Sequence, residues 1–321
     1  MLLVEIRQSL SRNGLLMGQN NSLKKTKLFF SLLILITIGL LSEAVLRCVW
    51  GLTHAPLYQE SKAYEYIVCP NQDDYRFGVH YHFNSFSQRS EEPDTTKAIV
   101  LGLGDSVIFG GTMIDQDCIA TTLFTKETGI QMLNISAGSW GPDNCAAYLR
   151  EKGMFHAKAI YLIVSSHDAH DNINHKKVVG VHKSYPNKQY FCAWAELIDR
   201  YLLPRCFLKG KEDDPDQKVL KHMIKKDGVV FNTGFSQLKQ MADSAKIKMY
   251  VCLHPEQEEI KNGFYNSQGE EIIAWCLQND VLLIKELEEG ISMDMLRDGI
   301  HLNEKGQRFE ADLMKKYIVL D

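Results

Sequence analysis

Between positions 28 and 42 the chain reads LFFSLLILITIGLLS without a single charge, and continuing through 46 adds only one acid, Glu43. That apolar run is close to the ~20 residues an α-helix needs to cross hydrocarbon at a rise of about 1.5 Å per residue. Lys24, Lys25 and Lys27 stand just before it and only Arg47 just after. The positive-inside rule then keeps the N-terminus in the cytoplasm and puts everything after residue 47 outside. The run is long for the core of a cleaved leader, and no small-x-small cleavage site follows it. The reading is therefore a cytoplasmic tail at 1–27 and an uncleaved transmembrane anchor at 28–47. The first 23 residues, polar and rich in Asn, Ser and Gln, are expected to lack order.

Beyond the anchor the pattern changes twice. Residues 48–95 mix Tyr, Asn, Gln, Ser and Glu with no sustained period, which predicts an irregular stalk that also packs on the domain after it. From 96 onward, short apolar runs alternate with amphipathic stretches of helical period. Strands are predicted at 97–103, 131–135, 159–165, 248–254 and 281–284. Helices are predicted at 121–128, 143–152, 231–245 and 304–317. Such alternation implies a parallel sheet of about five strands with helices on both faces. A long insertion, about 172–228, separates the third strand from the helix before the fourth. In a sheet of this kind ligands bind beyond the carboxyl ends of the strands, so the chemistry is expected at 104–106, 136–141 and 165–171.

Composition narrows the classes. Apolar residues are 45% and charged residues 24% of 321, globular proportions that remove a disordered or collagenous chain. Residues 1–47 hold six Lys/Arg and two Glu, so the formal total of −4 leaves −8 on the body. An acidic body argues against a nucleic-acid partner, which needs a basic face to offset phosphate. The eight cysteines (Cys48, Cys69, Cys118, Cys145, Cys192, Cys206, Cys252 and Cys276) form no CxxC pair and no zinc-like spacing. Outside the cytoplasm they leave room for one or two disulfides, with Cys252 expected as a buried thiol in a central strand.

Two blocks carry candidate chemistry. Gly104-Asp105-Ser106 ends the first strand where a helix is about to begin, a placement that suits a nucleophile whose adduct becomes an oxyanion. Asp298-Gly299-Ile300-His301 precedes the last helix. A serine hydroxyl is too weakly acidic to attack unaided, so it needs a base, and the base needs an orienting carboxylate. Asp-x-x-His on one turn holds such a pair together.

In this order and at these sites the two blocks resemble the SGNH/GDSL hydrolase family, over about residues 96–318. The resemblance implies a three-layer α/β/α, flavodoxin-like domain at 96–321. It also implies Ser106 as nucleophile, His301 as base and Asp298 as its orienting acid, with no cofactor and no metal. The family's second block supplies an oxyanion-hole glycine after the second strand. Here Asn134 to Gly141 read NISAGSWG; a gapless match puts Ser139 at that position and a one-residue shift puts Gly138 there, with Gly138 favoured. The third block normally offers an Asn donor, and here His167 of Ser165-Ser166-His167-Asp168 stands in its place. The expected oxyanion set is Ser106, Gly138 and a neutral His167 imidazole, which donates one N–H. His167, His170 and nearby Asp168 and Asp171 also admit a metal or a capping reading. Trp140, Tyr185, Tyr190, Phe191 and Trp194 are candidates for stacking on sugar rings.

Family and address together imply an inner-membrane ester hydrolase or O-acyltransferase acting on acylated cell-envelope or secreted glycans. In the transferase case a membrane acyl-transfer partner is expected. The alternative is a catalytically impaired polysaccharide-binding or assembly protein on the same fold.

Overall fold

A computed structural model of the chain describes residues 2–208, 226 and 228–320. The part of the predicted insertion at 209–225 and 227 lies outside the described residues. Helix α1 runs Leu2–Cys48, so the polar stretch expected to lack order is helical backbone. Its apolar stretch, Leu28 to Leu41, stands exposed outside the folded body. Within α1, Lys24–Cys48 holds a stretch long and apolar enough to cross a membrane.

Residues 48–95 are not irregular. They form two antiparallel hairpins, β1 (Tyr58–Ser61) with β2 (Glu65–Val68) and β3 (Gln72–Arg76) with β4 (Val79–Phe83). Strands of four and five residues with mixed polar faces give no clean period of two, which is why the sequence pattern hid them. The segment packs on the domain as expected. Buried Arg89 donates to the carbonyls of Phe109, Gly111 and Ile114 at 2.6–2.7 Å, and Trp140 Nε1 donates to the Tyr66 carbonyl.

The body then alternates as predicted. β5 (Ile99–Gly104), β6 (Gln131–Ser136), β7 (Ala159–Ser165), β8 (Lys248–His254) and β9 (Leu282–Lys285) form one parallel sheet in the order β6-β5-β7-β8-β9. That is the flavodoxin-like order, and the direction of strand progression reverses beside β5. Successive residues of each strand enter two separate cores. Leu101, Leu133, Leu162 and Val251 meet Ala146 and Leu149 of α4 (Pro142–Lys152), Phe235 and Leu238 of α6 (Gly234–Ala245), and Ile272 of α8 (Ser267–Gln278). Val100, Met132, Tyr161 and Ile284 meet Phe124 of α3 (Ala120–Thr128) and Met314 of α10 (Glu304–Tyr317), the helix after the single-turn α9 (Glu286–Glu289). Each such side chain contributes about 1.5–3 kcal/mol on burial. The three-layer α/β/α architecture follows from strands that are apolar on both faces.

Among the helices that escaped the sequence pattern are α7 (Gln257–Asn262) and α8. α8 carries Gly269 in its first turn, which weakens the helical signal. The glycine is required there because a Cβ would stand 2.5 Å from Ser166 Oγ. All eight cysteines are free thiols, and Cys252 is buried in β8.

Candidate active site

β5 ends on Gly104, where a Cβ would lie 2.6 Å from the Ile163 carbonyl of neighbouring β7. Only glycine lets the strands close up at that edge. Asp105 then caps α2 (Ser106–Phe109) by accepting from Val107 N at 2.8 Å, and Gly110 closes it with φ +74°. Ser106 is thus the first residue of a helix, as expected. That helix is a single turn, too short to add up much macrodipole at the hydroxyl.

The late block forms a tight loop closed by Arg297 N donating to His301 O at 2.9 Å. Asp298 Oδ1 accepts from the amides of Ile300 and His301 at 3.0 and 2.8 Å. Both Asp298 oxygens lie 2.9 Å from His301 Nδ1, and His301 Nε2 lies 2.9 Å from Ser106 Oγ. Partial burial works against the Asp298 charge, but the two amides and the His301 imidazole outweigh it and hold the carboxyl down at about 2. Asp298 is therefore an anion throughout the working range. The fold brings these three residues together in the geometry a Ser-His-Asp relay requires.

A second histidine, unmarked by any motif, supports the loop from below. His254, at the end of β8 and fully buried, places Nδ1 2.7 Å from Glu286 Oε2 and Nε2 2.7 Å from the carbonyl of Ile300, the residue before His301. Burial opposes the imidazolium, yet the adjacent Glu286 carboxylate raises its pKa; Nε2 donates to the Ile300 carbonyl, which can only accept. His254→Ala is expected to destabilise the fold by about 3–5 kcal/mol, the effect of leaving buried Glu286 unpaired. It is also expected to lower kcat for ester hydrolysis with little change in KM, and His254→Gln, which keeps one donor for Ile300, to recover part of the rate. A destabilised His254→Ala with full kcat would show that the contact is structural only.

A cleft of about 550 Å³ opens over Ser106 and His301. Its walls include Ser139, His167, His170, Asp171, Lys226, Glu256 and Gln268. A larger hollow, about 990 Å³, lies at the opposite end of the sheet beside Lys158 and Lys248, where β7 and β8 begin, away from the Ser106 relay. Lys226 enters the cleft from the far side of the insertion as half of a buried ion pair with Glu65 at 2.6 Å. Burial opposes the Glu65 charge, but Lys226 and the surrounding donors lower its pKa. Glu65 also accepts from the amides of Asn174 and His175 at 2.9 Å, tying the start of the insertion to the first hairpin.

The oxyanion wall differs from expectation in two ways. Gly138 does not line the cleft, whereas Ser139 does, with φ +60°. The Gly138 carbonyl is turned to the Tyr66 and Tyr185 hydroxyls, which donate to it at 2.8 and 3.1 Å. A Cβ at Gly138 would lie 2.8 Å from the Tyr185 hydroxyl, so the glycine is used for close approach of the tyrosine. His167 does line the cleft, with Nδ1 3.0 Å from Glu256 Oε1. The sequence suggested a neutral imidazole there. Burial disfavours its charge, but Asp168, Glu256, Asp105 and Asp171 together push its pKa up to about 10.

The metal reading does not gather both histidines. His170 is held between Glu271 at 2.9 Å and Gln268 at 3.1 Å, while Asp105, His167 and Asp168 bring ligand atoms within 4.8 Å of one another. Nor do the aromatic candidates reach the cleft. Trp140 and Tyr185 are buried in the core, Tyr190 donates to Asp199, and Phe191 and Trp194 lie beside the end of α1.

The fold and site together define an α/β protein in which Ser106, His301 and Asp298 stand in hydrogen-bond contact at the carboxyl edge of a parallel sheet. No family model matches the chain, and no curated protein does. Among solved structures it is similar to a putative lipolytic protein of the G-D-S-L family from Desulfitobacterium hafniense DCB-2, at 11% identity and TM-score 0.39, covering 69% of this chain and 100% of that one. It is similar also to TesA, at 14% identity and TM-score 0.39 over 68% and 96% of the two chains. A third is the psychrotrophic esterase EstA from Pseudoalteromonas sp., at 13% and 0.37 over 68% and 96%. At these identities the case for an activity lies in the side chains themselves.

Proposed function

We propose that the chain is a membrane-anchored serine ester hydrolase or O-acyltransferase of the SGNH/GDSL type. One observation carries the reading: the unbroken hydrogen-bonded line Asp298–His301–Ser106, with 2.9 Å at each side-chain step. Ser106 Oγ attacks the ester carbonyl while its proton passes to His301 Nε2, and Asp298 holds the ring and offsets the imidazolium charge. The oxyanion faces the Ser106 and Ser139 amides and the His167 ring. Collapse of the adduct breaks the ester C–O bond, with His301 returning the proton to the departing alcohol. Water or a second hydroxyl then attacks the acyl-enzyme, giving its proton to His301; collapse of this second adduct breaks the bond from Ser106 Oγ to the acyl carbon, His301 returns the proton to Oγ, and the acyl group leaves as acid or new ester.

The polar side chains that line the cleft, among them His167, Lys226 and Glu256, support a polar alcohol, such as that of an acylated glycan, as the leaving group. The rival reading, a binding module on the same fold, gives no reason for an activated serine. Incubation with a fluorophosphonate tests the two: phosphonylation of Ser106 in the folded full-length chain is expected. Unlabelled wild type with an intact melting transition would favour the binding module.

The lysines before α1's apolar stretch, with Arg47 after it, support an orientation with the domain outside the cytoplasm, in the inner membrane. A reporter active only outside the cytoplasm, fused after Asp321, should then be active. A silent fusion present at normal levels would reverse the orientation.

A further inference from the structure

Phe191 and Trp194 stand apart from the cleft and belong to a larger apolar feature. From Ala193 the chain is helical, as α5 (Ala193–Glu196) and then π-type turns over Leu197–Leu202. One side faces the body. Ala193 and Glu196 are fully buried, Leu197 and Tyr201 pack against Leu46 and Leu52, and Glu196 binds Arg76 and the Thr53 amide. The other side is apolar and open: Phe191 is 86% exposed, and Trp194, Ile198, Leu202 and Leu203 are each above 40%.

This segment is tied to α1 at a definite height. Trp194 Nε1 donates to Ser42 Oγ at 3.1 Å, Glu43 accepts from the amides of Ala193 and Trp194, and Arg47 donates to the Phe191 carbonyl. If hydrocarbon begins near Leu28, about 30 Å of it at 1.5 Å per residue ends near residue 47. Ser42 to Arg47 are then the last turns of the span, and the open side of 191–203 starts level with the boundary between acyl chains and headgroups. An amphipathic helix with Trp and Phe at that level lies in the interface with its apolar side among lipid.

We propose that residues 191–203 form a second membrane contact beside the anchor, inserting Phe191, Trp194, Ile198, Leu202 and Leu203 into the acyl–headgroup boundary. The proposal rests on the anchor reading. Of the segment's acids, Glu196 is turned inward onto Arg76 and Arg200, and Asp199 faces Lys183, so burial of apolar area is the driving force and zwitterionic lipid suffices as the surface. Two adjacent attachments, the span and the interfacial segment, would restrict how the domain pivots about α1.

The test uses the full chain reconstituted in phosphatidylcholine vesicles with and without lipid brominated on shallow acyl carbons, which quenches nearby indoles. In a background carrying Trp50→Phe, Trp194→Phe and Trp275→Phe, only buried Trp140 remains. Single probes are then added as Leu35→Trp in the span, Ile198→Trp or Leu202→Trp on the segment, and Leu277→Trp on an exposed site of α8. Each variant is first checked for a cooperative melt. The expected result is quenching of roughly half the added emission at Leu35, Ile198 and Leu202 and almost none at Leu277. Quenching at Leu35 without quenching at Ile198 or Leu202 would overturn the interfacial contact while leaving the anchor in place. If those two indoles were also shielded from acrylamide, a second protein surface would be the occupant instead. Absence of quenching at Leu35 would overturn the anchor reading and the inference with it.

Discussion

Replacing Ser106 by Ala is expected to lower turnover of a short-chain aryl ester by several orders of magnitude, and replacing His301 by Ala to do the same. The double variant should be little worse than either single one. Once the nucleophile is gone its base has no proton to take, and once the base is gone the hydroxyl is left with its ordinary weak acidity. Asp298→Asn should cost less. The Asp298 side chain is about half exposed, so water can take over part of the orienting and charge-stabilising role that a buried triad acid performs alone. The Ile300 and His301 amides that Asp298 accepts from would also meet the remaining Asn oxygen. Initial rates on purified chain, with melting curves to exclude unfolded material, check the series. Retention of more than about a tenth of the rate in Ser106→Ala or His301→Ala would remove the relay assignment.

Those three residues were legible in the sequence because each sits where a strand or turn hands over to a helix, and such junctions leave local signatures. Gly104 marks the tight approach to β7, Asp105 is a cap, and Asn303 accepts from Gly306 N to start α10 just after His301. The five strands were legible for a related reason: apolar on both faces, they read as continuous runs bounded by glycine, asparagine or histidine. The hairpins at 58–83 were not. Their identity depends on pairing partners rather than on any periodic pattern, and their side chains serve contacts far along the chain, as Tyr66 does with Gly138. His254 was invisible for the same reason. It lies in the predicted strand 248–254 and reads as its last residue, and only the fold shows that its ring reaches Glu286 and the carbonyl before His301. Lys226 and Glu65 are 161 positions apart, and no local spacing announces a buried ion pair of that kind. The second block illustrates a finer limit. Gly138 and Ser139 differ by one position in register, and the choice turned on where Tyr185 packs.

His167 departs furthest from the pattern its neighbours follow, and its charge makes a sharp expectation possible. Glu256 holds Nδ1, so Nε2 is the ring nitrogen left to meet developing negative charge. A donor of this type acts mainly in the transition state, so His167→Ala should lower kcat by ~10²–10³ with little change in KM. His167→Asn restores a neutral amide donor and should recover part of that loss. The pH dependence separates the two donors. With its folded pKa raised to about 10, the wild-type ring stays charged through neutral pH and loses its proton only as pH rises through about 10. Its stabilising interaction with the surrounding carboxylates is complete below the unfolded value of about 6.5 and fades over the same rise. The kcat profile of the wild type should therefore fall on its alkaline side, and that limb should be absent in His167→Asn. A metal held by Asp105, His167 and Asp168 predicts a different pattern: chelator would inactivate the wild type and Asn would give no rescue. A capping or packing role predicts a third, in which Ala lowers the melting temperature and spares kcat. Rates against pH, chelator sensitivity and melting curves on these two variants distinguish all three, and a full-rate, chelator-resistant His167→Ala would remove His167 from the chemistry altogether.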